Sequence, residues 1–310
     1  MATMRIALTG SEQALGRAVL AELVRQDVEI VAVDFGADGE MAPLPPDVTH
    51  VVHASSLVES GHSASSYTSA NVHATTTLLD ACRQRDLEQV VLISTTETYG
   101  RRLPPWPVTE SWVPRPLGAA QQSRVAAERV ARTYRRRVPL SIVRPAPVIV
   151  SGDGPMMQVI RHFVSRPRGA LVGGGRAPLS ILAGADLGRA VWAMLCHPEE
   201  AVDAVFHVAS AHTTWAELAN EACQLRGVEG RFWSAPYVVA RGLDALRLSA
   251  WVLPEPEGVE AYVDMTGRPH LIDDSRARIS LGYAPLLSLR GALAQALDVY
   301  ERQSNAADDA

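Results

Sequence analysis

Thr9-Gly10-Ser11-Glu12-Gln13-Ala14-Leu15-Gly16 stands between an apolar, β-branched run, Met4 to Thr9, and a helical pattern, Leu15 to Arg25. A strand-to-helix turn of this kind brings bare backbone N–H groups and the positive end of a helix dipole to one point, where a dinucleotide pyrophosphate would be received. Glycine is needed because a side chain would block that approach. Gln13 replaces the middle glycine of the usual spacing, so Gly10 and Gly16 alone also fit a plain turn. Asp34 ends the second strand pattern, Val28 to Val33, about 20 residues on, where a carboxylate accepts hydrogen bonds from an adenosine ribose. It repels a 2′-phosphate, and no arginine follows at once in Asp34-Phe35-Gly36-Ala37, so the site favours NAD(H) and leaves NADP(H) open. A solvated turn residue is the alternative reading of Asp34.

Outward from this turn, short β-branched runs alternate with helical patterns: Val51 to Ala54, Asn71 to Gln84, Gln89 to Ser94, Ala119 to Tyr134 and Leu140 to Arg144. That alternation predicts an α/β fold with a doubly wound parallel sheet. The stretch from Asp34 to Val51 is too short for a full strand and helix, so a regular third strand is not expected. After Arg144 the pattern loosens into Pro/Gly-rich loops carrying Met156 and Met157, then returns to a helix at Ala185 to Leu195 and a strand at Val205 to Val208. The expected organisation is a dinucleotide-binding domain over 1–150 with 183–209 returning to it. A smaller, interleaved C-terminal substrate lobe takes 151–182 and 210–302, and 303–310 form a frayed tail.

Composition narrows the function. With 310 residues and 47 % hydrophobic content the chain can bury a large core, and a net charge of −5 gives no footprint for nucleic acid. The basic run Arg132 to Arg137 falls at a predicted helix end, where it complements the dipole. No signal-peptide or membrane-spanning pattern occurs, so the expected location is the cytoplasm, away from any membrane. Cys82, Cys196 and Cys223 lie far apart in helical patterns and read as buried thiols, with no metal knuckle. All 29 basic residues are arginine, so no lysine side chain is available for chemistry.

Several further stretches resemble, in order, the extended short-chain dehydrogenase/reductase family of NAD-dependent epimerases and dehydratases. Val51-Val52-His53-Ala54-Ser55 is similar to that family's strand ending in Ala-Ala, and Asn71-Val72-His73-Ala74-Thr75 to its Asn-Val-x-Gly-Thr helix. Ser94-Thr95-Thr96-Glu97-Thr98-Tyr99-Gly100 resembles the Ser-Thr-Asp-Glu-Val-Tyr-Gly of sugar-nucleotide dehydratases. Arg144-Pro145 fits the strand that meets the nicotinamide, and Asp273 to Tyr283 the C-terminal signature. The resemblance implies a Rossmann-like fold and a nicotinamide cofactor. The contacts it implies are Ser11, Leu15, Ala54, Ser55, Ser94, Arg124, Pro145 and Val148, beside Gly10, Gly16 and Asp34. Dimerisation through the helices around Asn71 to Gln84 and Ala119 to Tyr134 is common in the family.

The departures from the family pattern decide the expected chemistry. The family's tyrosine, which moves the substrate proton, and its lysine four residues later fall at Ala120 and Arg124. Alanine has no proton to give, and a guanidinium with a pKa above about 12 cannot shuttle one; Arg124 keeps a ribose contact or a surface role. Thr95, at the family's Ser/Thr position, is carried over as a substrate-orienting hydroxyl, with a strand-end capping residue as the alternative. Thr96 replaces the dehydratase acid, Glu97 survives at the base position, and Tyr99 is expected to pack behind the loop. Leu179 stands where sugar-nucleotide enzymes commonly aim an arginine at a pyrophosphate. Met156, Met157, Trp215, Trp233, Tyr237, Trp251 and Tyr262 offer material for an apolar, aromatic-lined pocket, with core packing as the alternative for each.

The pattern resembles the atypical ketoreductases of actinobacterial polyketide pathways. It implies an NAD(P)H-dependent reductase of an apolar aromatic small molecule, working by substrate-assisted protonation. Two other readings stand beside it: a non-catalytic cofactor-binding relic or regulator, and a sugar-nucleotide epimerase or dehydratase using Thr95 and Glu97.

Overall fold

The computed structural model describes residues 4–36, 40–57, 61–152, 154–245 and 262–308. In chain order the strands are β1 (Arg5–Thr9), β2 (Glu29–Ala32), β3 (His50–His53), β4 (Gln89–Ile93), β5 (Leu140–Pro145), β6 (Val148–Ile149), β7 (Arg168–Val172), β8 (Pro178–Ala183), β9 (Val205–Val208), β10 (Ala211–Thr214) and β11 (Arg231–Ala235). The helices are α1 (Ala14–Leu23), α2 (Ala64–Tyr67), α3 (Ala74–Cys82), α4 (Ala119–Tyr134), α5 (Pro155–Ser165), α6 (Gly184–Cys196), α7 (Pro198–Ala201), α8 (Trp215–Leu225), α9 (Tyr237–Ala245), α10 (Tyr262–Gly267), α11 (Ser275–Ser280) and α12 (Leu289–Asp308).

The main sheet runs β2-β1-β3-β4-β5-β9, every pair parallel. Its strands are apolar on both faces because side chains alternate and both faces are covered. Ile6, Leu8, Val52, Val91 and Val143 join the core that also holds residues of α1 and α6. Ala7, Val51, Val90, Leu92 and Ile142 join a second core with residues of α3 and α4. β2 is the sheet edge among the described residues, as the short Asp34–Val51 connection predicts, and the strand order reverses beside β1, where doubly wound sheets open a crevice.

The second lobe is a sheet β10-β8-β6 and a pair β11-β7, packed with α5, α8 and α12 around Met157, Ile160, Phe163, Ile181, Leu218 and Leu293. Met156 and Met157, expected in a loop, lie instead on α5. Gly154 is its N-cap and Pro155 its first residue, where a missing N–H costs nothing and the fixed φ suits a helix. Met156, Val159, Ile160 and Phe163 then bury one face at helical spacing. Cys82 and Cys223 are buried as expected, but Cys196, the last residue of α6, is exposed. The backbone of 303–308, read from the sequence as a frayed tail, is helical within α12.

Candidate functional site

The turn after β1 is bare backbone by necessity. A Cβ on Gly10 would stand 2.6 Å from the Ser55 nitrogen, and one on Gly16 would stand 1.8 Å from the Gly10 carbonyl oxygen. Gly10 also has φ +72°, which favours glycine. The side chain of Gln13, the N-cap of α1, does not cap the helix; its amide oxygen accepts from the Ser56 N–H at 2.9 Å. Asp34 reaches back from the end of β2 to the turn. Its carboxylate accepts from the Gly10 and Ser11 N–H groups and from the Ser11 hydroxyl at 2.7 Å. This bracing of the turn is a role the sequence did not suggest. A glycine cradle that a Cβ would fill, a helix N-terminus and a nearby carboxylate fit a dinucleotide.

Opposite this turn, the loop after β3 is pinned to α4. Asn71 accepts from the Leu57 N–H (2.8 Å) and donates to the Leu57 carbonyl and the Ser123 hydroxyl. It sits in a π-helical stretch, Thr68–His73, a local widening that recurs at functional sites. Arg124 is buried and donates to the Ser56 hydroxyl at 2.5 Å, so it belongs to the site and not to the helix surface. His53 spans the sheet side of the turn. The Thr75 hydroxyl donates to the Asn71 carbonyl and so accepts from His53 Nε2, leaving Nδ1 to accept from the Thr9 hydroxyl at 2.6 Å. Burial, then Arg124, pull the imidazole down to about 4, so it is neutral.

Beneath the carboxyl ends of β4 and β5 lies a buried polar floor. Arg144, 4 % exposed, donates Nε and Nη2 to the two oxygens of Glu128 (2.9 and 2.5 Å) and Nη1 to the Tyr99 oxygen (2.6 Å). Tyr99 in turn donates to His207 Nε2 (2.7 Å), because His207 Nδ1 faces the Asp273 carbonyl and must carry the proton. Burial, followed by Arg144, lowers His207 to about 4, and burial pushes the Tyr99 phenol up to about 12. Tyr99 therefore packs behind the loop, as expected, with its proton committed. Ser94 gives its hydroxyl proton to Glu128 (2.5 Å), and Glu110 accepts from the His207 N–H.

Between the glycine turn and the second lobe opens a cavity of about 530 Å³, within the range of small-molecule sites. Of the expected residues, Leu15, Ser94, Thr95, Arg124, Pro145 and Val148 line it, together with Glu97, Met156, Leu179 and Trp215. Gly10, Ser11, Gly16, Asp34, Ala54 and Ser55 form the turn and strand end behind its nucleotide end. Ala120 lies in the first turn of α4 outside the lining. Thr95 caps the short helix Thr96–Tyr99, its oxygen accepting from the Glu97 N–H at 3.2 Å, which leaves its own proton to donate. Met157 and Tyr262 are core residues, Tyr237 donates to Asp264, Trp233 is 57 % exposed, and Trp251 lies outside the described residues. Arg17, Arg101, Met265 and His270 line the cavity unforeseen. Arg17 follows the glycine turn on the predicted helix α1, whereas the places of Arg101, Met265 and His270 are set by tertiary packing and leave no local sequence signal.

Comparison with known proteins fits this geometry. Residues 6–209, more than half of the chain, match the model of the NAD dependent epimerase/dehydratase family, and the chain belongs to that family. No curated protein matches it in sequence. Among solved structures it is similar to UDP-glucuronic acid 4-epimerase from Bacillus cereus in complex with NAD, at 19 % identity, 97 % of this chain, 99 % of that one and a TM-score of 0.73. A short-chain dehydrogenase/reductase superfamily protein from Agrobacterium tumefaciens with bound NAD gives 19 %, 98 %, 99 % and 0.71. UDP-glucose 4-epimerase from Thermotoga maritima gives 18 %, 97 %, 100 % and 0.71. At these identities the likeness establishes the Rossmann-like fold. No described helix is long and apolar enough to cross a membrane, and no described cluster of side chains could hold a metal ion.

Proposed function

We propose that this chain is an NAD(P)H-dependent ketoreductase that reduces a carbonyl of an aromatic polyketide, angucyclinone-like in shape, and takes the proton from the substrate itself. The observation that supports it is a cavity wall with no proton donor of the family's kind: no tyrosine or lysine is among the described lining residues, and Ala120 and Arg124, read as standing at the family's tyrosine and lysine positions, are both on α4. A reduced nicotinamide would supply the hydride. A phenol beside the ketone is already hydrogen-bonded to it, so the carbonyl oxygen takes the phenol proton as the hydride adds, and water later reprotonates the phenolate. The chain's own part is orientation. The Thr95 hydroxyl donates to the carbonyl, while Met156, Leu179, Trp215 and Met265 cover the rings. Asp34 favours NADH over NADPH on this reading, the working location is the cytoplasm, and pairing of two copies through α3 and α4 is part of the same proposal.

The solved neighbours named for UDP-sugar epimerases favour a second reading, a sugar-nucleotide epimerase or dehydratase acting through Thr95 and Glu97. Leu179 in the wall weighs against it, because an apolar side chain gives a pyrophosphate nothing to bind. Purified protein with NADH or NADPH and a panel of hydroxylated polyketide ketones and quinones separates the readings. A two-hydrogen mass gain with oxidation of the cofactor supports the reductase. Turnover or calorimetric binding confined to UDP-sugars supports the second, and cofactor binding without turnover of any compound points to a non-catalytic relic.

A further inference from the structure

His270 enters the cavity wall beside Leu179, held by main-chain bonds: its N–H donates to the Pro178 carbonyl and its carbonyl accepts from the Ser180 N–H, both at 2.8 Å. Its ring is fixed by Thr96. The Thr96 oxygen lies 3.0 Å from the Pro145 carbonyl oxygen and 3.0 Å from His270 Nε2. A carbonyl can only accept, so the single hydroxyl proton goes to Pro145, and Thr96 must accept from His270. The imidazole therefore carries its proton on Nε2 and presents a bare lone pair on Nδ1. No described residue donates to that nitrogen, although the residue is only 8 % exposed and lines the cavity. Burial, with Arg101 nearby, holds the ring neutral down to about 3.

An acceptor that has no protein partner and lies in a largely enclosed wall becomes selective once a ligand fills it. Met156, Leu179, Trp215 and Met265 supply apolar surface in the same wall, and Arg101 is the charged side chain that acts on the ring. We propose that His270 Nδ1 accepts a hydrogen bond from a hydroxyl group on the cavity's ligand, so that the site selects a hydroxylated ring over the same ring without the hydroxyl. The inference deepens the ketoreductase reading and rests on it for the class of ring. Thr96, by fixing the tautomer, acts as a positioning residue for His270.

The test compares 2-hydroxyanthraquinone with anthraquinone, which differ only in one free hydroxyl, by calorimetry on the cofactor-loaded protein. The wild type is expected to prefer the hydroxylated ring by roughly tenfold, the effect of about one buried hydrogen bond. In His270→Phe the ratio of the two affinities is expected to fall to about one, whereas His270→Asn, which keeps an acceptor, retains part of the preference. In the wild type, the ¹⁵N resonance of His270 Nδ1 moves on adding 2-hydroxyanthraquinone and not on adding anthraquinone, which needs no variant to fold. Equal affinities in the wild type, a preference that survives His270→Phe, binding of neither ring, or an unmoved resonance would each overturn the proposal. If the preference depends on His270 but no ketone is reduced with NADH or NADPH, the ketoreductase reading fails and this inference stands.

Discussion

The two ends of the cleft are built by different means. At the nucleotide end, main-chain geometry does the work: Gly10 and Gly16 leave no room for side chains, and Asp34 braces the turn from one strand away. At the substrate end, single side chains from the segment after β4, α5, β8, α8 and the segment before α11 meet in one wall, none of them required by the backbone. A site made of backbone tolerates almost no substitution but carries no specificity of its own. A site made of scattered side chains can be rewritten residue by residue while the fold stays as it was.

Gly16→Ala should give the largest effect. Its Cβ would meet the Gly10 oxygen at 1.8 Å, so the turn must open. NADH or NADPH affinity is expected to fall at least ~100-fold, the equivalent of about 3 kcal/mol of strain. Met156→Ala, at the other end, should leave cofactor affinity within about twofold and raise only the KM of the ketone. Calorimetric cofactor titrations of the two variants check this, and equal losses would break the distinction between the two ends.

The same difference explains what the sequence could show. The glycine turn, Asp34, the alternating strands and the helix at Ala119–Tyr134 are local patterns whose spacing is dictated by backbone periodicity, and each lies where its pattern places it. The reading of Ala120 and Arg124 as departures rests on the family pattern alone. His270 was not legible, because its place depends on a bridge to Leu179 from a segment about 90 residues away, with the Ile272 N–H donating to the Ser180 hydroxyl beside it. Nor was the union of Glu128, Arg144, Tyr99 and His207, since four polar residues on four elements carry no common period. The Met156–Met157 segment misled because Gly154-Pro155 reads as a loop, whereas here it begins a helix.

Acid should reach both ends together if they share one cooperative core. His53 behind the nucleotide turn and His207 in the floor are each lowered to about 4, and His270 in the substrate wall to about 3. Above the usual histidine value near 6.5, neither the folded nor the unfolded chain binds protons at these rings. Below it the unfolded chain takes them up while the folded one does not until about 4. Stability is therefore full above 6.5 and falls by about 1.4 kcal/mol per pH unit for each imidazole on the way down. Urea midpoints measured between pH 7 and 5 should fall steadily, and a flat profile would mean that these rings reach water in the native state.

The floor under both ends gives a narrower test. Glu128→Gln keeps the side-chain shape but leaves the buried Arg144 guanidinium without its carboxylate. Removing one partner of a buried pair costs about 3–5 kcal/mol. Denaturation of the variant should show a loss of that size, and a change below about 1 kcal/mol, the scale of an exposed pair, would mean that water reaches the floor.

Thr95→Val should have the smallest effect, and it bears most directly on how the substrate end works. A hydroxyl that alone stabilised the developing alkoxide would be worth about 10²–10³ in kcat, as removal of an oxyanion-hole donor is. If the substrate's own phenol supplies both the hydrogen bond and the proton, Thr95 only steers the carbonyl, and its loss should lower kcat for a phenol-flanked ketone by less than about tenfold. The same substitution tested on a ketone with no neighbouring phenol should cost more than about tenfold, because the substrate then brings no donor of its own. A hundredfold loss on the phenol-flanked substrate would place the alkoxide in the hands of the protein, and the wall at the substrate end would then be catalytic where the proposal makes it selective.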